Sequence, residues 1–293
     1  MANFKESSLS AALAPALTPA LTLLAMIAFA GNSLLCRQAL KATAIDAATF
    51  TTVRMLSAAL VLGLLIGFKP SVYRNHGNWP SALALFAYAA GFSFAYIHLS
   101  AGTGALLLFG AVQATMIGVG IYKGERLAGW RLVGFLLAIA GLVVLLLPGL
   151  SAPPLLSAIS MAGAGIAWGI YSLRGKGSGS PLAATAGNFL RTVPMTAGLT
   201  LLMLQHMSWD TAGLVYAVLS GALTSGIGYA IWYQVLPALK STTAASVQLS
   251  VPVIAAAGGV LVLGEPLSLR LLIASGAILC GIALVLHQKR PAA

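Results

Sequence analysis

Apolar residues fill ten runs of roughly 20 residues, separated by short polar gaps. A helix needs about 20 such residues to cross ~30 Å of hydrocarbon, so each run predicts one membrane span. The predicted spans are 17–36, 47–68, 80–99, 105–122, 127–147, 155–173, 181–205, 211–236 and 242–263, with a tenth ending near residue 287. Residues 1–16 form a short polar-to-mixed tail, expected on the cytoplasmic side. The first run is long and nine more follow it, which predicts a retained span rather than a cleaved leader.

The pattern occurs twice. Gly124-Glu125-Arg126-Leu127 opens an apolar run that passes Gly141, and Gly264-Glu265-Pro266-Leu267 opens another that passes Gly281. In the same register Thr103 meets Thr243, Gly118 meets Gly258 and Leu99 meets Leu239. Nearer the start of each copy the alignment is softer, with Arg54 against Arg191 and Phe29 against Trp168. The uncharged Pro/Gly/Ser-rich stretch 148–154 divides the chain into repeats at 17–150 and 151–293. Five spans per repeat is an odd number, so the second copy enters the membrane from the opposite side. The expected fold is an all-α integral membrane protein, ten transmembrane helices arranged as two inverted five-helix repeats, with a binding site between the halves.

Composition agrees with a lipid environment. Of 293 residues, 59% are hydrophobic and 7% are charged, against about 25% charged in soluble domains; the mean hydropathy is +0.95. The net charge of +11 does not point to nucleic acid, because Lys and Arg sit singly in short gaps rather than in a basic run. With the N-terminus inside, ten of them, among them Lys5, Lys69, Arg74, Arg174 and Lys289, fall on the cytoplasmic side, against Arg37, Lys41 and Arg270 outside. That bias predicts both termini in the cytoplasm; the expected location is a bacterial inner (plasma) membrane. Cys36 and Cys280 lie in apolar runs, so neither a disulfide nor a metal site is expected. No cofactor is implied.

Polar and aromatic side chains within spans mark a candidate cavity. Asn32, with Ser33 beside it, offers a hydrogen bond either to a solute or to a neighbouring helix. Trp168 and Ser172 share one face of the sixth span at i, i+4. Tyr88, Phe92 and Tyr96 line one face of the third span; Tyr229, Trp232 and Tyr233, extended by Ser225, line one face of the eighth. Two matched aromatic faces suit a planar or apolar solute, or serve as packing and interfacial aromatics, the reading favoured for Tyr96. Gln248 stands in a stripe with Thr242, Thr243, Ser246 and Ser250; Gln113, which has no counterpart there, is a weaker candidate. Arg54 and Arg191 either attract a carboxylate or anchor helix-end carbonyls.

Reactive chemistry is not expected. All five acids, Glu6, Asp46, Glu125, Asp210 and Glu265, fall in tails, turns or span ends, and the histidines are scattered, so no catalytic pair forms at membrane depth. Glu125 and Glu265 read as turn residues preceding a span, favoured by the partial positive charge of a helix start. The lack of an intramembrane carboxylate argues against trading a proton for a cationic drug.

Together the two Gly-Glu turns, the small-residue fourth and ninth spans, the glycine-spaced fifth and tenth spans and Arg54 resemble the EamA-type branch of the drug/metabolite transporter superfamily. Within it the aromatic interior looks most like the YddG type of aromatic amino acid exporter. Many members carry Trp where this chain has Phe29, and here Trp occurs only in the second copy, as Trp168. The resemblance implies a non-enzymatic exporter of small neutral metabolites, chiefly aromatic and other neutral amino acids, working by alternating access. Its partners would be the solute and the lipid bilayer; a monomer is compatible with the sequence, which leaves the oligomeric state open. A multidrug or other metabolite exporter is the alternative; an intramembrane enzyme or a non-transporting scaffold is more remote.

Overall fold

The computed structural model describes residues 17–124, 129–147, 152–175, 179–239 and 247–286. The tail at 1–16, the turn with Glu125, residues 148–151 of the boundary stretch 148–154, and Thr242, Thr243 and Ser246 of the polar stripe lie outside the described residues.

Among the described residues the chain is all-helical. The elements are α1 (Leu17–Ala42), α2 (Ala47–Leu65), α3 (Pro70–Asn75), α4 (Trp79–Tyr96), α5 (Ala101–Tyr122) and α6 (Trp130–Leu146). They continue as α7 (Leu155–Gly175), α8 (Pro181–Leu202), α9 (Thr211–Val235), α10 (Ser250–Leu263) and α11 (Leu269–Leu286). Ten are long and α3 is a short helix in the polar gap after α2. Six, α1, α2, α5, α7, α9 and α11, are both long and apolar enough to cross a membrane. Of the rest, α6 and α10 are apolar but shorter, 17 and 14 residues.

Polar residues in the gaps start the helices. Asp46, Asn78, Ser100 and Asp210 each accept backbone N–H bonds at the N-cap of α2, α4, α5 and α9, satisfying donors that a helix start leaves unpaired. Helix α1 runs past the expected end at Cys36 to Ala42. Arg37-Gln38-Ala39-Leu40-Lys41 are all good helix formers, so a polar stretch there does not break the helix. The outward face is apolar: Leu64, Leu202 and Leu261 are 67%, 84% and 83% exposed, as expected when lipid is the solvent.

Packing comes in exchanged pairs. Helix α4 packs on α7 as α9 packs on α1; α5 packs on α7 as α10 packs on α1; α2 packs on α9 as α8 packs on α4. Three pairs, α6 with α11, α2 with α8 and α5 with α10, exchange with themselves. The α6–α11 crossing displays the relation atom by atom. A Cβ on Gly281 would stand 2.5 Å from the Gly134 carbonyl oxygen, and one on Gly141 would stand 3.0 Å from the Ala274 carbonyl oxygen. The displacement that carries Gly124 onto Gly264 also carries Gly141 onto Gly281 and Gly134 onto Ala274, so this is one contact made twice.

One helix departs from regular geometry. Within α9, residues Ser220–Ile227 form a π-helical turn, and at Gly221 this turn lies directly on the α2 backbone near Arg54. The wider turn changes which residues of α9 face inward.

Candidate functional site

A small central cavity lies between α1, α4, α5, α7 and α9, about 360 Å³ only when the open space joined to it is counted. On α1, Phe29, Asn32 and Ser33 line it, spaced i, i+3, i+4 on one face. Tyr88 and Phe92 of α4 stand one turn apart; Leu108 and Phe109 come from α5, Trp168 from α7, and Thr224 and Tyr229 from α9.

The rings form a continuous cluster. Trp168 lies 4.8 Å from Tyr88 and 5.2 Å from Tyr229, centroid to centroid. Phe29 meets Tyr229 edge-on at 5.6 Å, and Tyr88 meets Phe92 at 5.4 Å. These are favourable aromatic separations. They also mean that a solute must part the rings to seat itself.

Asn32 is the polar centre. Its Nδ2 donates to the Tyr88 hydroxyl at 3.2 Å, and its Oδ1 accepts from Ser220 Oγ at 2.7 Å and Thr224 Oγ1 at 3.3 Å. Behind this wall stands Arg54, 1% exposed and foremost among the largest fully buried side chains. Its Nη2 donates to the Tyr88 hydroxyl at 3.1 Å and its Nε to Ser225 Oγ at 3.4 Å. The guanidinium lies 5.3 Å from the Tyr88 ring centroid and 5.0 Å from that of Phe92, within cation–π range. Arg54 Nη1 has no hydrogen-bond partner.

Arg191 behaves differently. Its Nη1 donates to the His76 and Gly187 carbonyls and its Nη2 to the Tyr73 carbonyl. It clamps backbone oxygens of the α3 region, as an anchor does.

The two ends of the bundle are tied. At one end Arg37 Nε donates to Glu265 Oε1, while Glu265 Oε2 accepts from the Ala101 backbone N–H. Glu265 thus serves a helix start, but that of α5 rather than that of the helix after it. It is buried, at 6% exposure, because the Gly264 turn at φ +63° folds it back against Gly259 and Ala101. At the other end Arg174 donates to Ser81 Oγ and Asn78 Oδ1, and Asn78 N–H donates to Asn188 Oδ1.

Of the residues singled out in the sequence, Phe29, Asn32, Tyr88, Phe92, Trp168 and Tyr229 come together at the cavity. Trp232 stands behind the wall, edge-on to Phe29 at 6.0 Å. Ser172 and Gln248 are half-buried and outside the lining. Tyr96, expected in an interfacial belt, is instead fully buried, its ring 4.7 Å from that of Phe92 and its hydroxyl donating to the Ala101 carbonyl. Gln113 lines a separate apolar cleft of about 440 Å³ among α5, α6 and α11. Sequence reasoning missed Leu108, Phe109 and Thr224. Thr224 follows Ser220 by four residues, the one available signal, but the π turn that turns both toward Asn32 has no sequence mark of its own.

Three comparisons bear on this geometry. The model of the EamA-like transporter family matches residues 155–287. The chain is 58% identical over 274 residues to the uncharacterized protein PA1977 of Pseudomonas aeruginosa, covering 93% of this chain and 95% of that one. It is 25% identical over 244 residues to an uncharacterized transporter of Archaeoglobus fulgidus, covering 80% of this chain and 84% of that one. A solved crystal structure of another protein superposes with a TM-score of 0.64 at 21% identity, over 91% of this chain and 97% of that one; this likeness is one of fold. The chain is therefore a multi-pass membrane protein that belongs to one family with PA1977, and its second half is a domain of the EamA-like transporter family.

Proposed function

We propose that the protein exports small neutral metabolites, chiefly aromatic and other neutral amino acids, by alternating access through the central cavity. In this reading residues 17–150 and 151–293 are two inverted repeats, the protein sits in a bacterial inner membrane, and both termini are cytoplasmic. The exchanged helix packing and the doubled glycine contact of α6 and α11 support the inverted arrangement. Of the alternatives, a multidrug or other metabolite exporter, the multidrug reading fits less well, because among the described residues no carboxylate lines the cavity.

One observation carries the substrate reading. Six aromatic rings from five helices surround a central amide, Asn32, a wall that stacks on a planar solute and hydrogen-bonds its polar end. Radiolabelled amino acid flux into liposomes holding the purified protein tests it. Phenylalanine, tyrosine and tryptophan should enter faster than in empty liposomes, and Trp168→Ala should slow them roughly two- to tenfold, given about 0.5–1.5 kcal/mol for aromatic contacts of this kind. No amino acid flux above empty liposomes would sink the assignment.

A further inference from the structure

We propose that Arg54 is the buried counter-charge for a substrate carboxylate, so that the site reads the carboxylate of its substrate and does not require an ammonium group. The inference rests on the cavity being the solute site.

A guanidinium removed from water is strongly disfavoured unless an anion or a full set of acceptors replaces its hydration. Arg54 has neither. Its partners are two neutral hydroxyls and two ring faces, and Nη1 has no partner. The described acids are committed elsewhere: Asp46 and Asp210 cap helices, and Glu265 holds Arg37 and Ala101. Arg191 shows that an arginine at the matching place in the second half can be paired within the protein, through three backbone carbonyls. Arg54 is left wanting an acceptor beside the cavity.

The charge reaches the cavity through Tyr88. The Tyr88 hydroxyl accepts from both Asn32 Nδ2 and Arg54 Nη2, so its own proton is the one it has to give, and Tyr88 lines the cavity. A phenol held by a guanidinium is a strengthened donor, and charge-assisted bonds are about twice as strong as neutral ones. The Asn32 oxygen offsets this little, because Ser220 Oγ already donates to it at 2.7 Å. The polar pole thus offers donors backed by a cation. A carboxylate is favoured at that pole over an ammonium, which the cation behind it repels. Arg54 acts as a positioning residue, with Tyr88 making the contact.

Ligand-induced thermal stabilisation of the purified protein tests this with L-phenylalanine, 3-phenylpropanoate (carboxylate without ammonium) and phenethylamine (ammonium without carboxylate). Phenylalanine and 3-phenylpropanoate should stabilise at similar concentrations, and phenethylamine only at concentrations at least tenfold higher. Equal action by phenethylamine would overturn the carboxylate inference and leave the aromatic site standing. No stabilisation by any of the three would overturn the aromatic reading, and this inference with it. Tyr88→Phe keeps the ring and removes the hydroxyl, so it should reduce the carboxylate preference about tenfold; an unchanged preference would overturn the proposed route. Arg54→Lys should keep part of the preference and Arg54→Met should abolish it.

Discussion

Arg37 and Glu265 form a charged hydrogen bond of 2.9 Å between the last turns of α1 and the turn before α11. Arg37 Nη1 also donates to the Tyr96 and Ile97 carbonyls, each at 2.9 Å, and Glu265 Oε2 accepts from Ala101 N–H at 2.8 Å. One pair therefore ties four segments at one end of the bundle. Both side chains are mostly buried, 12% and 5% exposed. Removing one partner strands the other, which costs about 3–5 kcal/mol in buried pairs. Glu265→Gln and Arg37→Met should each destabilise strongly, and the double variant by less than their sum. Unfolding followed in a double-mutant cycle should return a coupling of about 1 kcal/mol or more; additive losses would show that the pair does not hold this end together.

At the same end Asp46 caps α2 and also reaches the second half. Its Oδ1 accepts from Ala48 N–H and Thr49 N–H, and its Oδ2 from Ser208 N–H at 3.0 Å. Burial pushes the carboxyl pKa up, but the bonds with Thr49, Ser208 and Ala48 outweigh it and hold the pKa below the usual 3.8. The ionised form is therefore bound more tightly in the folded state. Its stabilisation is full above the unfolded value and lost as pH falls through the lower folded value. Asp46→Ala should cost about 1–2 kcal/mol at neutral pH, and the gap to wild type should close below pH 3.8. Thermal unfolding from pH 7 down to pH 3 measures it; a gap independent of pH would show that charge plays no part.

Arg54 and Arg191 occupy matching places in the two halves and should respond oppositely to the same change. Arg191→Met orphans three carbonyl bonds near α3 and should destabilise by about 2–3 kcal/mol. Arg54→Met removes a buried cation whose Nη1 is unpartnered. Replacing buried charge with an apolar side chain is often neutral or stabilising by about 1–4 kcal/mol. The ligand-free variant should therefore melt at or above the wild-type temperature. A large loss of stability in Arg54→Met would make Arg54 a structural anchor like Arg191.

Lipid explains how much of this was legible in the sequence. Every span must be apolar and close its own backbone bonds, so the ten runs stand out, and the recurring register shows in glycines such as Gly141 and Gly281. The aromatic faces were legible because Tyr88 and Phe92 recur at one turn. What escaped depends on atoms rather than pattern. Arg54 and Arg191 look alike in the sequence, and only the carbonyls of Tyr73 and His76, presented by α3, separate them. Glu265 reads as a turn residue because its partners, Arg37 and Ala101, lie far away along the chain. Ser172 and Gln248 are polar within apolar runs, yet half-burial accommodates them without a cavity.

Gly221 sits where α9 meets α2, inside the π turn. A Cβ there would stand 1.9 Å from Ser57 Oγ and 2.1 Å from the Arg54 carbonyl oxygen. The first atom can rotate away, but the second is backbone, so Gly221→Ala forces the helices apart just behind Tyr88. Overpacking of this kind costs about 1–3 kcal/mol, and the displaced Arg54 should weaken solute binding as well. Gly276 on α11 provides the control, since a Cβ there meets nothing within 4 Å. Gly276→Ala should be neutral or stabilising by about 0.5–1 kcal/mol, the helix-propensity gain over glycine. Melting temperatures and phenylalanine flux for both variants check the pair. Equal effects would mean that the α2–α9 contact is not the tight crossing on which Arg54 depends.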